Sequence, residues 1–397
     1  MYVFVNEIEK HLKEKLIPFW EKLKDKEYGG YYGYMGYDLA LDVHYEKGCI
    51  LNSRILWFFS NAYMLLGEEH LKSAAEHAYK FLKDFCMDYE NGGVYWSVTY
   101  DGNVLDSTKH TYNQAFAIYA LSSYYDAVKD KEALKTAKEL FNLIEEKCTD
   151  EYGYLEAFTR TFEPAGNDKL SENGVMADKT MNTLLHVFEA YTELYRVCHD
   201  ENVAARLRFM LDIFKNHVFN EELGRQEVFF DSRYTPLIDL YSYGHDIETA
   251  WLLDRGLNVL GDKEYIDMFA PVTHALAKNI YNRAFVNGSV LNEAENGTND
   301  TTRVWWVQAE SIVGFINEAE KLDAKKSAES EKYYKAAKDL WEYIKAYIID
   351  KREGSEWYWS VNADGTPYEK PIVEPWKCPY HNGRMCIEVI KRARPGK

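Results

Sequence analysis

Two histidines of this sequence share a helix face with a polar side chain at short spacing. His186 lies four residues after Asn182 in DKTMNTLLH, and His245 lies three residues before Glu248 in YGHDIE. Side chains at these spacings are neighbours on a helix surface. A carboxylate beside an imidazole can fix its tautomer and raise its basicity, so we expect Glu248 to orient His245.

A third histidine, His381 in PYHNGRM, is followed directly by an amide side chain. Imidazole titrates near neutral pH and can both take and return a proton, which is what a cofactor-free isomerisation requires. A single histidine on an apolar helix face is more often a hydrogen-bonded core residue. Three histidines with polar neighbours are harder to explain in that way, and they favour a site for proton transfer.

One arginine lies in an unusually apolar setting, since Arg54 stands within the run ILNSRILWF. A buried guanidinium is costly unless it meets a carboxylate or the oxygens of a ligand. Its five donors could stabilise an enediolate oxygen. Trp305 and Trp306 are consecutive and cannot share a helix face, so we expect Trp306 to line a pocket while its neighbour packs.

The charge balance restricts the partners of the chain. With a formal net charge of −17 at pH 7, most of its surface would repel nucleic acid and anionic membranes. A neutral small molecule fits better. Aromatic residues make up 15% of the chain, and their flat apolar faces suit sugar rings, although a merely aromatic core is the alternative.

The cysteines bear on metals and on the redox environment. The six of them contain no CxxC pair and no metal-ligand spacing, and the sequence has no glycine-rich phosphate loop. We therefore expect reduced thiols, no metal and no cofactor. Residues 1–10 alternate apolar and charged side chains unlike a secretory signal, and no apolar run is long enough to span a bilayer. Both features favour the cytoplasm.

Apolar residues recur at three- and four-residue spacing through most of the chain, which predicts a mainly helical protein. Strand-like alternation is confined to short pieces such as 94–99 and 357–361. The periodicity predicts twelve helices, at 5–24, 46–66, 70–88, 108–128, 131–148, 178–198, 201–217, 243–260, 263–281, 301–322, 331–349 and 378–392.

The helices are arranged in a weak repeat, in which a helix pair and a glycine- and aromatic-rich loop recur about six times. The second, fourth, sixth and twelfth helices are more apolar than their partners and should form an inner ring. This predicts an all-α fold, a single (α/α)6 barrel over residues 1–397, because no linker marks a domain boundary. A stacked solenoid is the alternative, but it would show tighter repeats and polar capping ends.

Unusual polar and aromatic residues recur once per helix pair on the predicted inner helices. They are Arg54, Tyr112, Asn182 with His186, His245 with Glu248, Trp306 with Glu310, and His381. In a barrel of paired helices these side chains would converge on one pocket.

At these residues the sequence resembles the cellobiose 2-epimerases, a branch of the N-acylglucosamine 2-epimerase family. The resemblance runs from residue 17 to residue 390, and it is carried by SRILWF, DKTMN…LH, SYGHDIE, TRVWWVQAE and WKCPYHNGRM. It implies an (α/α)6 barrel that inverts C2 of the reducing-end sugar of a β-1,4-linked disaccharide through a cis-enediol. Cellobiose would become 4-O-β-glucosyl-mannose, and lactose would become epilactose.

The resemblance also implies roles for single residues. His245 and His381 would be the acid/base pair on the two sides of C2, with Glu248 tuning His245. His186 and Arg54 would hold the oxygens at C1 and C2. The residues that it implies for substrate binding are Tyr112 and Asn182 at the reducing-end unit, Trp306 and Trp376 stacked on the sugars, and Glu310 and Asp178.

Three other functions compete with this interpretation. A glycoside hydrolase of the same fold needs two carboxylates across a glycosidic bond, and the predicted inner set is richer in histidine than in carboxylates. A monosaccharide 2-epimerase would gain nothing from a platform such as Trp376 for a second ring. A sugar-binding protein without activity would have no use for three pocket histidines. The chain is expected to act as a monomer.

Overall fold

The structure is a computed structural model that describes residues 4–170 and 173–394. Twelve helical stretches dominate the described residues, as the periodicity predicts. They are α1 (Val5–His11, Leu12–Leu16 and Ile17–Lys22 without a break), α2 (Cys49–Leu66), α3 (Glu69–Phe81, continued by Leu82–Cys86), α4 (Thr111–Val128), α5 (Lys131–Lys147), α6 (Met181–Cys198), α7 (Glu201–Ile213, continued by Phe214–Val218), α8 (Tyr243–Leu260), α9 (Lys263–Arg283), α10 (Trp305–Ala324), α11 (Ser330–Tyr343, continued by Ile344–Ile348) and α12 (His381–Ala393).

The even-numbered helices form a closed ring. Each of them contacts the next, from α2 through α4, α6, α8 and α10 to α12, and α12 contacts α2 again. The odd-numbered helices pack on the outside, as α3 does on α2 and α5 on α4. The sequence explains this division, since α2 and α4 are buried over most of their length, whereas α5 buries a single stripe.

Short strands connect the helices. They are Lys47–Gly48, Ser97–Val98, Val104–Asp106, Lys109–His110, Ala157–Phe158, Lys179–Thr180, Phe219–Asn220, Arg225–Gln226, Phe229–Phe230, Leu240–Ser242, Phe285–Val286, Ser289–Val290, Glu293–Glu295, Thr298–Asp300, Arg303–Val304 and Ser360–Val361. Several ring helices begin three or four residues later than predicted, because the residues before them pair as strands. Lys109–His110, for example, pairs with Ala157–Phe158 just before α4.

Ion pairs of buried lysines hold the starts of several ring helices. Lys47 lies just before α2 and reaches Asp25 at 2.6 Å, and Lys179 lies just before α6 and reaches Asp150 at 2.6 Å. Lys377, before α12, pairs with Glu356 in the same manner. A buried ammonium needs such a partner, and each acid lies in or beside the turn of the preceding loop. These pairs therefore fix where the ring helices begin.

None of the helices in the described ranges combines the length and the apolar character that crossing a membrane demands. All six cysteines are free thiols, and five of them are buried.

Candidate active site

A cavity of about 330 Å³ opens where the ring helices begin. Its lining includes nine residues that the sequence singles out: Arg54, Tyr112, Asn182, His186, His245, Glu248, Trp306, Trp376 and His381. All but Trp376 lie in the first two turns of a ring helix. The predicted convergence on one pocket is therefore observed, and its cause is that all six ring helices begin at this end of the ring.

His381 is held from behind by a carboxylate. Its Nδ1 lies 2.7 Å from Oε1 of Glu310, and Glu310 is fully buried outside the cavity lining. Nε2 is thus the nitrogen that His381 offers to the cavity. Burial and the nearby Arg384 hold the pKa of His381 well below its usual range, while burial raises the pKa of Glu310 to about 7. Glu310 contacts the histidine, not the place where a substrate would lie.

His245 is held by a hydroxyl instead. Its Nδ1 lies 2.7 Å from Oγ of Ser242, the last residue before α8. The expectation that Glu248 orients His245 is therefore wrong. Ser242, and not Glu248, is the hydrogen-bond partner of Nδ1 of His245. Burial lowers the pKa of His245 to about 3, so its imidazole is neutral at physiological pH.

The carboxylate of Glu248 bonds to Arg384 on α12 instead of to His245. Its Oε1 accepts a hydrogen bond from Nη2 of Arg384, and its Oε2 has no partner among the described residues although it is buried at the cavity wall. Burial and the neighbouring Glu310 raise the pKa of Glu248 to about 7. An unpaired buried carboxyl oxygen in a cavity wall is suited to a hydroxyl of a ligand.

His186 has a carboxylate partner that sequence reasoning missed. Its Nδ1 lies 2.9 Å from Oε2 of Glu189, three residues further along α6. The i, i+3 spacing was the available signal, since it is the same spacing that drew attention to Glu248 beside His245. Arg384 was missed too, although it stands three residues after His381 on α12.

Arg384 lies at the centre of this group of acids. It is fully buried, and its guanidinium donates to Glu189, Glu248 and Glu310, the last at 2.7 Å. Nη1 also donates to the Tyr380 hydroxyl, which itself donates to Glu189. Burial opposes the charge of Glu189, but Arg384 and His186 together lower the pKa of this carboxyl to about 2.

Arg54 is surrounded by aromatic rings. Its guanidinium carbon lies 4.2 Å from the ring centre of Phe116 and 4.9 Å from that of Tyr380. Nη2 donates to the Tyr112 hydroxyl at 2.8 Å, Nη1 approaches the Cys378 sulfur at 3.9 Å, and Nε has no partner among the described residues. The partners are neutral, so the positive charge at the cavity wall stays available for an oxygen of a ligand.

Two tryptophans of the predicted set shape the cavity. The Trp306 ring centre lies 4.8 Å from that of His245 and 5.3 Å from that of His381. Trp305 also belongs to the lining, so the expectation that it only packs is corrected, although it is almost fully buried. Trp376 closes the side near Arg54, with its ring centre 5.9 Å from that of Tyr112.

Two further predicted residues have different surroundings. Asn182 lines the cavity, and its Oδ1 has no partner among the described residues. Asp178 is exposed and lies outside the lining, because it precedes the strand that leads into α6 and its backbone N–H donates to Phe230. The structure therefore does not bring Asp178 to the cavity.

Glu248, Glu310 and His381 also have the spacing of a metal site, since one ligand atom of each lies within 4.8 Å of the others. The position between the two carboxylates is served by a cation already, because one nitrogen of Arg384 donates to both. A divalent ion at this place would have to displace a buried guanidinium. The donor set does not fit a resident metal.

Taken together, the cavity presents two neutral imidazoles with fixed Nδ1 partners, one indole close to both rings, and a guanidinium whose Nε has no partner among the described residues. Such a set can remove a proton from a carbon on one side and deliver one on another, while a developing oxyanion is stabilised by Arg54.

Comparisons with known proteins agree with this chemistry. The family model described as N-acylglucosamine 2-epimerase (GlcNAc 2-epimerase) matches residues 29–383. The cellobiose 2-epimerase of Ruminococcus albus is 52% identical over 391 residues, 98% of this chain and 99% of that protein. That of Eubacterium cellulosolvens is 49% identical, with 96% and 97% covered. The solved structure of cellobiose 2-epimerase from Bacillus thermoamylovorans has a TM-score of 0.94 at 47% identity, covering 99% of this chain and 100% of that one.

Proposed function

The chain belongs to the N-acylglucosamine 2-epimerase family, and from this premise we propose that it interconverts cellobiose and 4-O-β-glucosyl-mannose, and lactose and epilactose. It is a carbohydrate epimerase that acts at C2 of a disaccharide. The observation that carries the proposal is the placement of His245 and His381 in one cavity, each with Nδ1 bonded to a different partner.

His245 is assigned as the base that removes the C2 proton in one direction. A base must be neutral to accept a proton, and burial keeps His245 neutral by lowering its pKa to about 3. The Ser242 hydroxyl fixes the ring, so the free nitrogen faces the cavity. The C2–H bond breaks, its electron pair moves toward C1, and the aldehyde oxygen becomes the oxyanion of the enediol.

His381 and Glu310 are assigned together as the acid. With its pKa raised to about 7, Glu310 can hold a proton that it donates to Nδ1 of His381. Nε2 then carries a hydrogen and can give it to C2 while Nδ1 takes the proton of Glu310. The products are a neutral imidazole and a carboxylate that accepts from Arg384. The extra proton belongs to the pair. In the reverse direction the two sides exchange roles.

Arg54 and His186 are assigned to the sugar oxygens. The unpaired Nε and the neutral partners of Arg54 support a bond to the oxyanion at C1 or C2. His186 lines the cavity with Nδ1 held by Glu189, so its Nε2 is the nitrogen available for a hydroxyl or for assisting ring opening. Oε2 of Glu248 and Oδ1 of Asn182 offer two further polar contacts.

The aromatic residues support a disaccharide as the substrate. We assign Trp306, whose ring lies beside those of His245 and His381, to the reducing-end sugar, and Trp376 in the same lining to the second ring. The closed ring of six helices within six others supports a single (α/α)6 barrel. We propose that the protein needs no metal or cofactor and works as a monomer.

The acid/base assignment is tested by His245→Asn and His381→Asn. Each variant is expected to abolish turnover of cellobiose while binding of the sugar, followed by tryptophan fluorescence, is largely retained. Activity in both variants would contradict the assignment.

A further inference from the structure

We propose that Arg384 is a positioning residue, a single guanidinium that couples the two histidine–carboxylate pairs His186–Glu189 and His381–Glu310. The inference rests on the proposed function, because that function assigns His381 to proton transfer and His186 to a sugar oxygen. Arg384 is absent from the cavity lining, so it acts through the residues that it contacts.

Arg384 joins four of the ring helices. It projects from α12 and donates to carboxylates on α6, α8 and α10, which are Glu189, Glu248 and Glu310. A guanidinium is planar, and its donors keep a fixed angle to one another. It cannot move toward one carboxylate without changing its bonds to the others. Arg384 therefore fixes the positions of the three carboxylates relative to one another.

Glu189 and Glu310 each bond to a histidine as well as to Arg384. Glu189 uses Oε1 for Arg384 and Oε2 for Nδ1 of His186, at 2.9 Å. Glu310 uses Oε1 for both Arg384 and Nδ1 of His381, at 2.7 Å each, while Oε2 accepts from Trp251. An unbroken series of bonds therefore joins one histidine to the other through Arg384.

The single charge of Arg384 limits how many of its acidic neighbours can be ionised. Three buried carboxylates surround one guanidinium, so they cannot all ionise without excess negative charge in a dry interior. Arg384 therefore decides which of them remains a carboxylate. Nη1 of Arg384 donates both to Glu189 and to the Tyr380 hydroxyl, which in turn donates to Glu189. These bonds keep the ionised carboxylate beside His186, and the proton of the cluster stays near His381.

The main test compares Arg384→Met with Arg392→Met, a control on the same helix whose partners Glu320 and Asn317 lie away from the cavity. Arg384→Met is expected to lower kcat about 100-fold with KM for cellobiose changed much less, because misplaced histidines still allow binding. The control is expected to keep both constants. A folded Arg384→Met protein with the kcat of wild type would overturn the proposal.

A second readout does not depend on activity. In protein with ¹⁵N-labelled histidine, ring nitrogen shifts report tautomer and hydrogen bonding of His186 and His381, identified by the loss of their signals in His186→Gln and His381→Gln. Arg384→Met is expected to shift both sets of signals, and Arg392→Met neither. If wild type epimerises no sugar, the proposed function fails, but these shifts still decide the role of Arg384.

Glu189→Gln keeps the test decisive if Arg384→Met does not fold. It leaves Arg384 and Glu310 in place, and coupling predicts that the His381 signals shift together with those of His186. Tyr380 also contacts Glu189, and its ring meets that of His381 in an edge arrangement, so the measurement is repeated in Tyr380→Phe. A shift confined to His186 in both backgrounds would overturn the coupling.

Discussion

Oε1 of Glu310 lies 2.7 Å from Nδ1 of His381, and this places a carboxyl whose pKa burial raises to about 7 directly behind a cavity imidazole. The pair holds an extra proton below that pH and loses it above. The acid function that we propose for His381 would therefore depend on a group that is itself outside the cavity.

The first prediction is an alkaline limb in the pH dependence of kcat/KM. As pH rises through about 7, the His381–Glu310 pair loses its proton, so kcat/KM for the direction that uses His381 as the acid should fall. Rates measured between about pH 5 and pH 9 check this. In Glu310→Gln the limb should disappear along with most of the activity. An identical limb in that variant would assign it to another group.

The second prediction concerns Ser242. Its hydroxyl holds Nδ1 of His245, so Ser242→Ala should lower kcat on the order of 10-fold, the scale of one orienting hydrogen bond, with little change in KM. Ser311→Ala is the matched control, because within the described part of the chain this buried hydroxyl on α10 bonds only to the helix carbonyl of Val307. Steady-state kinetics on cellobiose measure kcat and KM for both variants. Equal effects of the two changes would contradict a role of Ser242 in orienting His245.

The placement of the site could be predicted from the sequence to a large extent, because helical periodicity and the interrupted apolar runs are local signals. Arg54 within ILNSRILWF and His381 in PYHNGRM both reach the cavity as expected. The predicted ring helices were long by a few residues, since a strand pairing such as that of Lys109–His110 depends on a loop far along the chain.

The partners of the histidines could not be predicted in the same way. Glu248 has ideal spacing from His245 on α8, but its carboxylate bonds to the guanidinium of Arg384 on α12. Such a contact between helices leaves no trace in the spacing along one helix. The contact of Ser242 with His245 is not predicted from the sequence, because Ser242 precedes α8 and the helical periodicity does not extend to it.

The third prediction tests the second sugar ring. Trp376→Ala should lower kcat/KM for cellobiose about 10-fold or more, since the stacking surface for a second ring is lost. Turnover of free glucose, N-acetylglucosamine or mannose, if detectable, should change much less, and it serves as the internal control. A variant that loses activity equally on both substrate classes would place Trp376 at the reducing-end sugar.

The fourth prediction is that exhaustive chelation leaves the activity intact. The acids that could hold an ion, Glu248 and Glu310, are bonded to Arg384. Dialysis against EDTA followed by assay on cellobiose checks this, with and without added Mg²⁺, Mn²⁺ or Zn²⁺. Loss of activity that a divalent ion restores would contradict a metal-free mechanism.

The most direct test of the account is proton NMR of the protein with cellobiose in D2O. We expect 4-O-β-glucosyl-mannose that carries deuterium at C2, because a proton delivered by the His381–Glu310 pair would exchange with solvent. Lactose should give epilactose labelled in the same place. Release of glucose would instead indicate hydrolysis, and epimerisation without deuterium at C2, or no conversion of either disaccharide, would contradict proton transfer by the two histidines.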